Sequence, residues 1–209
     1  LQLVSRYRRE GARATGEMSV HYLHFDAAED IARLGALMKV NPPIRNGMRE
    51  PLWQELQRDG CEFVSSDHSA WPLARKQVAS SFYAPAGIPG LETLLPAFFT
   101  GLAKRGLDAP RLCSLYLAER PARFFGLWPR KGHLSPGADG DIVVVRTAPY
   151  QFDASKTHDG LQWSPFDGEM FAASASATFV RGKLAWDGSV IKSQVGGGEF
   201  VPRQNNRGV

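Results

Sequence analysis

The sequence predicts an α/β fold whose first part alternates strands with helices and whose second part is mostly β. Three observations carry this prediction. A strand, a loop and a helix follow one another between Arg13 and Lys39; a short apolar strand, Cys61 to Ser65, follows the next helix; and beyond Leu127 helical spacing gives way to β-branched runs. Strands that alternate with helices belong to parallel sheets, because a parallel connection needs a crossover long enough to hold a helix.

Leu1 to Arg9 sets Leu3, Val4 and Tyr7 at helical spacing with basic residues outside, and Gly11 stops it. Arg13 to Val20 reads as the first strand. Asp26 to Lys39 reads as a helix, with Asp26 as N-cap and Glu29 at the capping-box spacing. Pro42 and Pro43 make Lys39 to Arg45 an ordered loop, since neither fits a helix interior or donates to a ladder. A second helix runs from about Arg49 to Gln57 and closes at Gly60. Cys61 to Ser65 then ends at Ser66-Asp67-His68, which puts a polar cluster at the carboxyl end of a strand. Ala70 to Gly90, rich in Pro, Ala and Gly, reads as a long loop over that strand end. Helices are expected over Leu91 to Lys104, Pro110 to Ala118 and Pro121 to Phe125. After a turn at Trp128-Pro129-Arg130-Lys131-Gly132, Asp141 to Arg146 is a strand, and Ala173 to Trp186 forms a hairpin about Arg181-Gly182-Lys183. Gly196 to Gly198 is a flexible connection with no phosphate-loop lysine after it, and the polar run Gln204-Asn205-Asn206-Arg207 follows.

With 209 residues, 43% hydrophobic and 22% charged, the chain suits one or two folded domains and is far from disordered compositions. No apolar run approaches the roughly 18 residues of a membrane helix. Arg6, Arg8, Arg9, Glu10 and Arg13 stand where a signal peptide would be apolar. The formal charge of +4 is spread among acids, as between Arg45 and Arg58 with Glu50, Glu55 and Asp59, so no nucleic-acid stripe emerges. Cys61 and Cys113 lie in apolar stretches and make neither a disulfide framework nor a paired zinc motif, which suits a reducing cytoplasm.

The strongest local signal is Ser65-Ser66-Asp67-His68-Ser69-Ala70-Trp71-Pro72. Where strands end the backbone is fixed while side chains meet an open mouth, so a carboxylate such as Asp67 can bind a metal and move a proton in hydrolysis. The competing reading makes Asp67 a loop cap and His68 a surface residue. His21 and His24, three apart and without a zincin glutamate between them, read as structural. Asn41 either forms a turn or offers an amide donor and acceptor to a substrate; Arg45 either pairs on the surface or meets a substrate carboxylate.

Taken in order, several segments resemble the cyclic amidohydrolases, the hydantoinase, dihydropyrimidinase, allantoinase and dihydroorotase group. They include Gly16-Glu17-Met18-Ser19-Val20-His21-Tyr22-Leu23, Lys39-Val40-Asn41-Pro42-Pro43-Ile44-Arg45, Leu52-Trp53, Ser65-Ser66-Asp67-His68-Ser69 and Gly87-Ile88-Pro89-Gly90-Leu91-Glu92. Arg120-Pro121-Ala122-Arg123-Phe124-Phe125-Gly126-Leu127, Pro129-Arg130-Lys131-Gly132, Gly137-Ala138-Asp139-Gly140-Asp141, Ser164-Pro165-Phe166-Asp167-Gly168 and Val180-Arg181-Gly182 continue the series. The resemblance implies the C-terminal part of a (β/α)8 TIM barrel over residues 1–126, and part of a small β-sandwich with a tail over 127–209. It implies a binuclear zinc site, held in the family by a His-x-His pair, a carboxylated lysine, two further histidines and one aspartate. Asp67 matches that aspartate, as metal ligand and proton shuttle. Asn41 matches a position that touches the substrate ring, and Gly87, Pro89 and Gly90 match the loop that encloses it; His21 matches a histidine that is no ligand. The implied substrate is a small cyclic amide or ureide, the implied assembly a homo-oligomer, and the alternative within the resemblance is a non-catalytic dihydropyrimidinase-like scaffold.

The other metal ligands have no equivalents here. A start at Leu1 rather than Met fits either processing or a sequence that begins partway through a longer protein. The ordered motifs favour the second, beginning at what would be the seventh barrel strand. The expectation is an inactive, poorly soluble or oligomeric chain that holds no two-metal centre alone. Trp71 stands where dihydroorotases carry a histidine, whereas Asn41 fits dihydroorotases better than allantoinases, so these two clues to the substrate disagree.

Overall fold

Two short parallel strands frame the first part of the chain in the computed structural model, which describes residues 1–204. Asn205, Asn206 and Arg207 of the polar run, with the remainder of 205–209, lie outside the described residues. Helix α1 (Gln2–Arg9) carries Arg6, Arg8 and Arg9 in its last turn, where cations offset the carbonyl end of the dipole, and Gly11 turns away at φ +88°. Strand β1 (Glu17–Ser19) is shorter than the expected Arg13 to Val20, because Val20 already opens helix α2 (Val20–His24) and is buried there with His21 and Leu23.

Asp26 caps the next segment as expected, accepting the Ala28 N–H at 3.0 Å. The reciprocal bond differs: the Asp26 N–H donates to Asp30 at 2.9 Å, while Glu29 pairs with Arg49. The single helix expected over Asp26 to Lys39 is also broken into a wide π turn (Ala27–Ile31), α3 (Ala32–Leu34) and a 3-10 turn (Gly35–Met38). Gly35 at φ +53° leaves the helical region and makes the break.

Helix α4 (Arg49–Gln57) buries Trp53 and Leu56. It stops where Asp59 takes φ +64° and the Gly60 N–H donates to Glu55 O at 2.8 Å; a Cβ on Gly60 would lie 2.7 Å from that oxygen. The chain then enters β2 (Phe63–Ser65), which pairs in parallel with β1 as Glu17 to Phe63, Met18 to Val64 and Ser19 to Ser65. Both strands therefore end on the same side.

The loop over that end contains one helical turn that composition did not suggest, α5 (Leu73–Lys76). Helix α6 (Leu94–Ala103) is buried on most sides through Pro96, Ala97, Phe98, Phe99, Thr100 and Leu102. Asp108 caps α7 (Ala109–Ser114) by accepting the Arg111 N–H at 3.1 Å, and a π turn (Leu115–Glu119) leads into α8 (Arg120–Phe124).

The second part holds β3 (Ile142–Arg146), β4 (Tyr150–Gln151), β5 (Met170–Phe171), β6 (Ser174–Val180) and β7 (Lys183–Trp186). β3, β6 and β7 form an antiparallel sheet in that order, and the expected hairpin turns on Arg181 (φ +49°) and Gly182 (φ +75°), the two left-handed positions of a tight hairpin. The β4–β5 pair returns to the helices: the Ala172 N–H donates to Thr100 Oγ1 at 2.9 Å, the Trp163 indole to Trp71 O at 2.8 Å, and the Phe166 ring lies 4.6 Å from that of Phe25. One apolar core thus runs from Met18 to Ala173. By contrast Ile142, Val143, Val144, Val180 and Leu184 of the three-stranded sheet are exposed.

Candidate functional site

Two residues beyond β2, Asp67 is exposed and adopts φ +47°, a conformation aspartate tolerates far better than branched residues do. The protein mass behind it, and next the Glu17 carboxylate, hold its carboxyl above the usual range. Asn41 is exposed at a cis Asn41–Pro42 peptide. Tyr22 is bonded to the Asn41 loop: its hydroxyl donates to Pro42 O at 2.5 Å, and burial followed by the Asp67 charge raises its pKa. Arg45 stands exposed farther along the same loop.

Gly87 is half-buried at φ +116°, and a Cβ there would come within 2.3 Å of Ser69 Oγ; Pro89 and Gly90 are buried. This loop is tied to the segment that carries Asp67. Ile88 bridges His68 in parallel, with the Ser69 N–H donating to Ile88 O at 2.9 Å. His68 Nδ1 accepts the N–H groups of Gly90 at 3.2 Å and Leu91 at 3.4 Å, so the ring proton sits on Nε2 and His68 is a loop anchor rather than a free surface residue. The structure therefore joins the segment of Asp67 to the Gly87 to Gly90 loop through His68, while Tyr22, which feels the Asp67 charge, is bonded to the Asn41 loop.

Sequence reasoning assigned no role to Tyr22 or Lys76 and read Trp71 only as a clue to the substrate. Tyr22 carried no polar pattern of its own. The Trp71 indole donates to Ala86 O at 2.9 Å. Lys76, with no exposed surface, donates to Lys39 O at 3.1 Å, Pro85 O at 2.9 Å and Gly87 O at 2.9 Å; burial and then the Lys39 charge lower it to about 8. Only a lysine in an apolar, proline-rich loop could have hinted at this.

The two histidines go separate ways. Burial lowers His21 to about 4, opposed by an approach to the Ser66 backbone that falls short of a full hydrogen bond. His24 Nε2 lies 3.6 Å from Glu169, whose carboxyl is lowered first by that imidazole. Among the described residues no three His, Cys, Asp or Glu side chains come together as a metal centre. A carboxylate that belongs to no group of three candidate donors is not a zinc donor set, so the residues described do not fit that ion by themselves.

A carboxylate of raised pKa at the end of parallel strands, rimmed by two anchored loops, defines an α/β chain with a strand-end site suited to proton transfer. An allantoinase of Deinococcus radiodurans is 35% identical over 198 residues, covering 94% of this chain and 43% of the relative. A dihydroorotase of Halobacterium salinarum is 35% identical over 182 residues, covering 86% and 42%. Among solved structures, an L-hydantoinase (dihydropyrimidinase) from Arthrobacter aurescens matches with a TM-score of 0.90 at 32% identity, over 97% of this chain and 46% of that one. No protein-family model matches. The chain belongs with the cyclic amidohydrolases of the hydantoinase, allantoinase and dihydroorotase group. It spans less than half the length of these relatives.

Proposed function

We propose that this chain contributes the proton-shuttling carboxylate and the substrate rim of a metal-dependent hydrolase. The reaction opens a ring C–N bond in a small cyclic amide or ureide of the hydantoin, dihydropyrimidine, allantoin or dihydroorotate type. The observation that carries the reading is Asp67 at the end of β2, with its carboxyl held above the usual range. A carboxylate so placed accepts a proton from the attacking water and returns it to the leaving ring nitrogen. Asn41 offers an amide donor and acceptor to the ring, and Gly87, Pro89 and Gly90 close over it. Asp67 would supply at most one ligand to a zinc centre, whose other donors the described residues do not provide.

Residues 1–126 are assigned to the C-terminal portion of a (β/α)8 barrel, which the parallel β1–β2 pair supports, and 127–209 to a β-sandwich portion, which the antiparallel β3–β6–β7 sheet supports. Homo-oligomerisation would cover part of the exposed apolar sheet. No helix among the described residues is long and apolar enough to cross a membrane. A reducing cytoplasmic setting suits the free, buried Cys61 and Cys113, whose thiols burial pushes up to about 12.

The test has two arms. Purified with zinc, the 209-residue chain should hold less than one metal per chain and open none of hydantoin, dihydrouracil, allantoin or dihydroorotate. Joined to any coding sequence upstream of Leu1 in the same frame, it should bind metal and open at least one. Two bound metals with turnover in the short chain, or no turnover with all four compounds in the longer one, would overturn the reading.

A further inference from the structure

A lysine stays buried only where its ammonium is fully hydrogen-bonded, and Lys76 meets that condition without a carboxylate. Its three donors meet three backbone carbonyls, those of Lys39, Pro85 and Gly87. These acceptors come from two distant segments: Lys39 opens the loop that carries Asn41, and Pro85 and Gly87 belong to the loop that ends at Gly90. The two segments also meet directly, since Lys39 O accepts the Gly87 N–H at 2.9 Å. Between the two carbonyls that Lys76 takes from the second loop, Ala86 O is held by the Trp71 indole. Three successive carbonyls are thus fixed by side chains of the intervening segment. A charge matched only by oriented dipoles depends on direction, so it holds its acceptors in one arrangement.

We propose that Lys76 is a positioning residue whose ammonium fastens the Asn41 loop to the Gly87 to Gly90 loop and so sets the opening beside Asp67. The proposal rests on the reading of these loops as substrate-facing, and its test is separable from that reading.

In the full chain, Lys76→Met keeps the apolar stem and removes the donors. Exchange of the Gly87 amide is expected to accelerate about tenfold or more, the lower end of what bonds to a charged group contribute. In the longer polypeptide, KM for the cyclic substrate should rise more than kcat falls. In Lys76→Ala, free n-propylammonium replaces the missing side chain as a cation and should restore slow Gly87 exchange, whereas n-propanol should not. Unchanged Gly87 exchange in Lys76→Met, or equal rescue by the alcohol, would overturn the proposal. Should neither variant fold alone, refolding of Lys76→Ala that depends on n-propylammonium supports it, and failure to refold overturns it. Gly87 exchange needs no turnover, so a wild-type protein that opens no ring counts against the hydrolase reading alone.

Discussion

His68 Nδ1 accepts the Gly90 N–H at 3.2 Å, so the residue next to Asp67 holds the far end of the loop beside it. His68→Ala leaves the N–H groups of buried Gly90 and of Leu91 without this acceptor, at a cost of about 1–3 kcal/mol. The expected result is a lower urea midpoint together with faster proteolysis between Gly87 and Leu91. A variant as resistant as the parent would show that the bond carries no load.

Asp67 sits at φ +47°, where asparagine is tolerated and β-branched residues are strained. Asp67→Asn should therefore preserve the fold while removing proton transfer, lowering ring opening by about 10²- to 10⁴-fold in the longer polypeptide. Asp67→Val should lose both stability and activity. Comparison of the two by circular dichroism melting and substrate turnover separates the backbone effect from the chemical one; full turnover in Asp67→Asn would remove the carboxylate from the mechanism.

His21 gives acid sensitivity. The native imidazole titrates at about 4 and the free one at 6.5, so between these values the unfolded chain binds more protons. Stability is complete above pH 6.5 and falls as pH drops, with about 3 kcal/mol lost by pH 4. His21→Leu should flatten that slope. Urea midpoints for both proteins from pH 7 to pH 4 give the comparison, and parallel curves would refute it.

Gly101 reverses the usual rule for helices. In an exposed helix Gly→Ala is stabilising, yet a Cβ here would meet Trp53 Cζ2 at 2.3 Å. The indole cannot withdraw: its Nε1–H donates to Leu23 O at 2.8 Å, the Arg105 guanidinium lies 4.3 Å over its ring, and Phe98 stacks on it at 5.9 Å. Gly101→Ala should destabilise by about 1–3 kcal/mol through overpacking, read from chemical denaturation. A neutral or positive change would contradict the packing.

Local signals were legible and long-range ones were not. Helix α4, the stop near Gly60 and the Arg181–Gly182 turn depend on neighbours in sequence, and they stand where spacing predicts them. The break at Gly35 and the exchange of Glu29 for Asp30 at the cap were missed, because Arg49, twenty residues away, draws Glu29 off. The place of Asp67 just past a strand was legible, because the apolar run Cys61 to Ser65 ends in a polar cluster. Lys76 was not, since its stretch reads only as part of a long loop and its burial is decided by carbonyls 9 to 37 residues distant.

The exposed Ile142, Val143 and Val144 have a practical consequence for handling the chain. β3 is an outer strand of its sheet, and a β-branched edge invites pairing with another molecule. Asp141 and Arg146 bracket the run as charged gatekeepers, but they guard only its ends. Any self-association through this edge would rise with concentration, and its apolar driving force would weaken on cooling. Dilute, cold samples will keep the chain dispersed, and a lysine at Val143 would do so at working concentration.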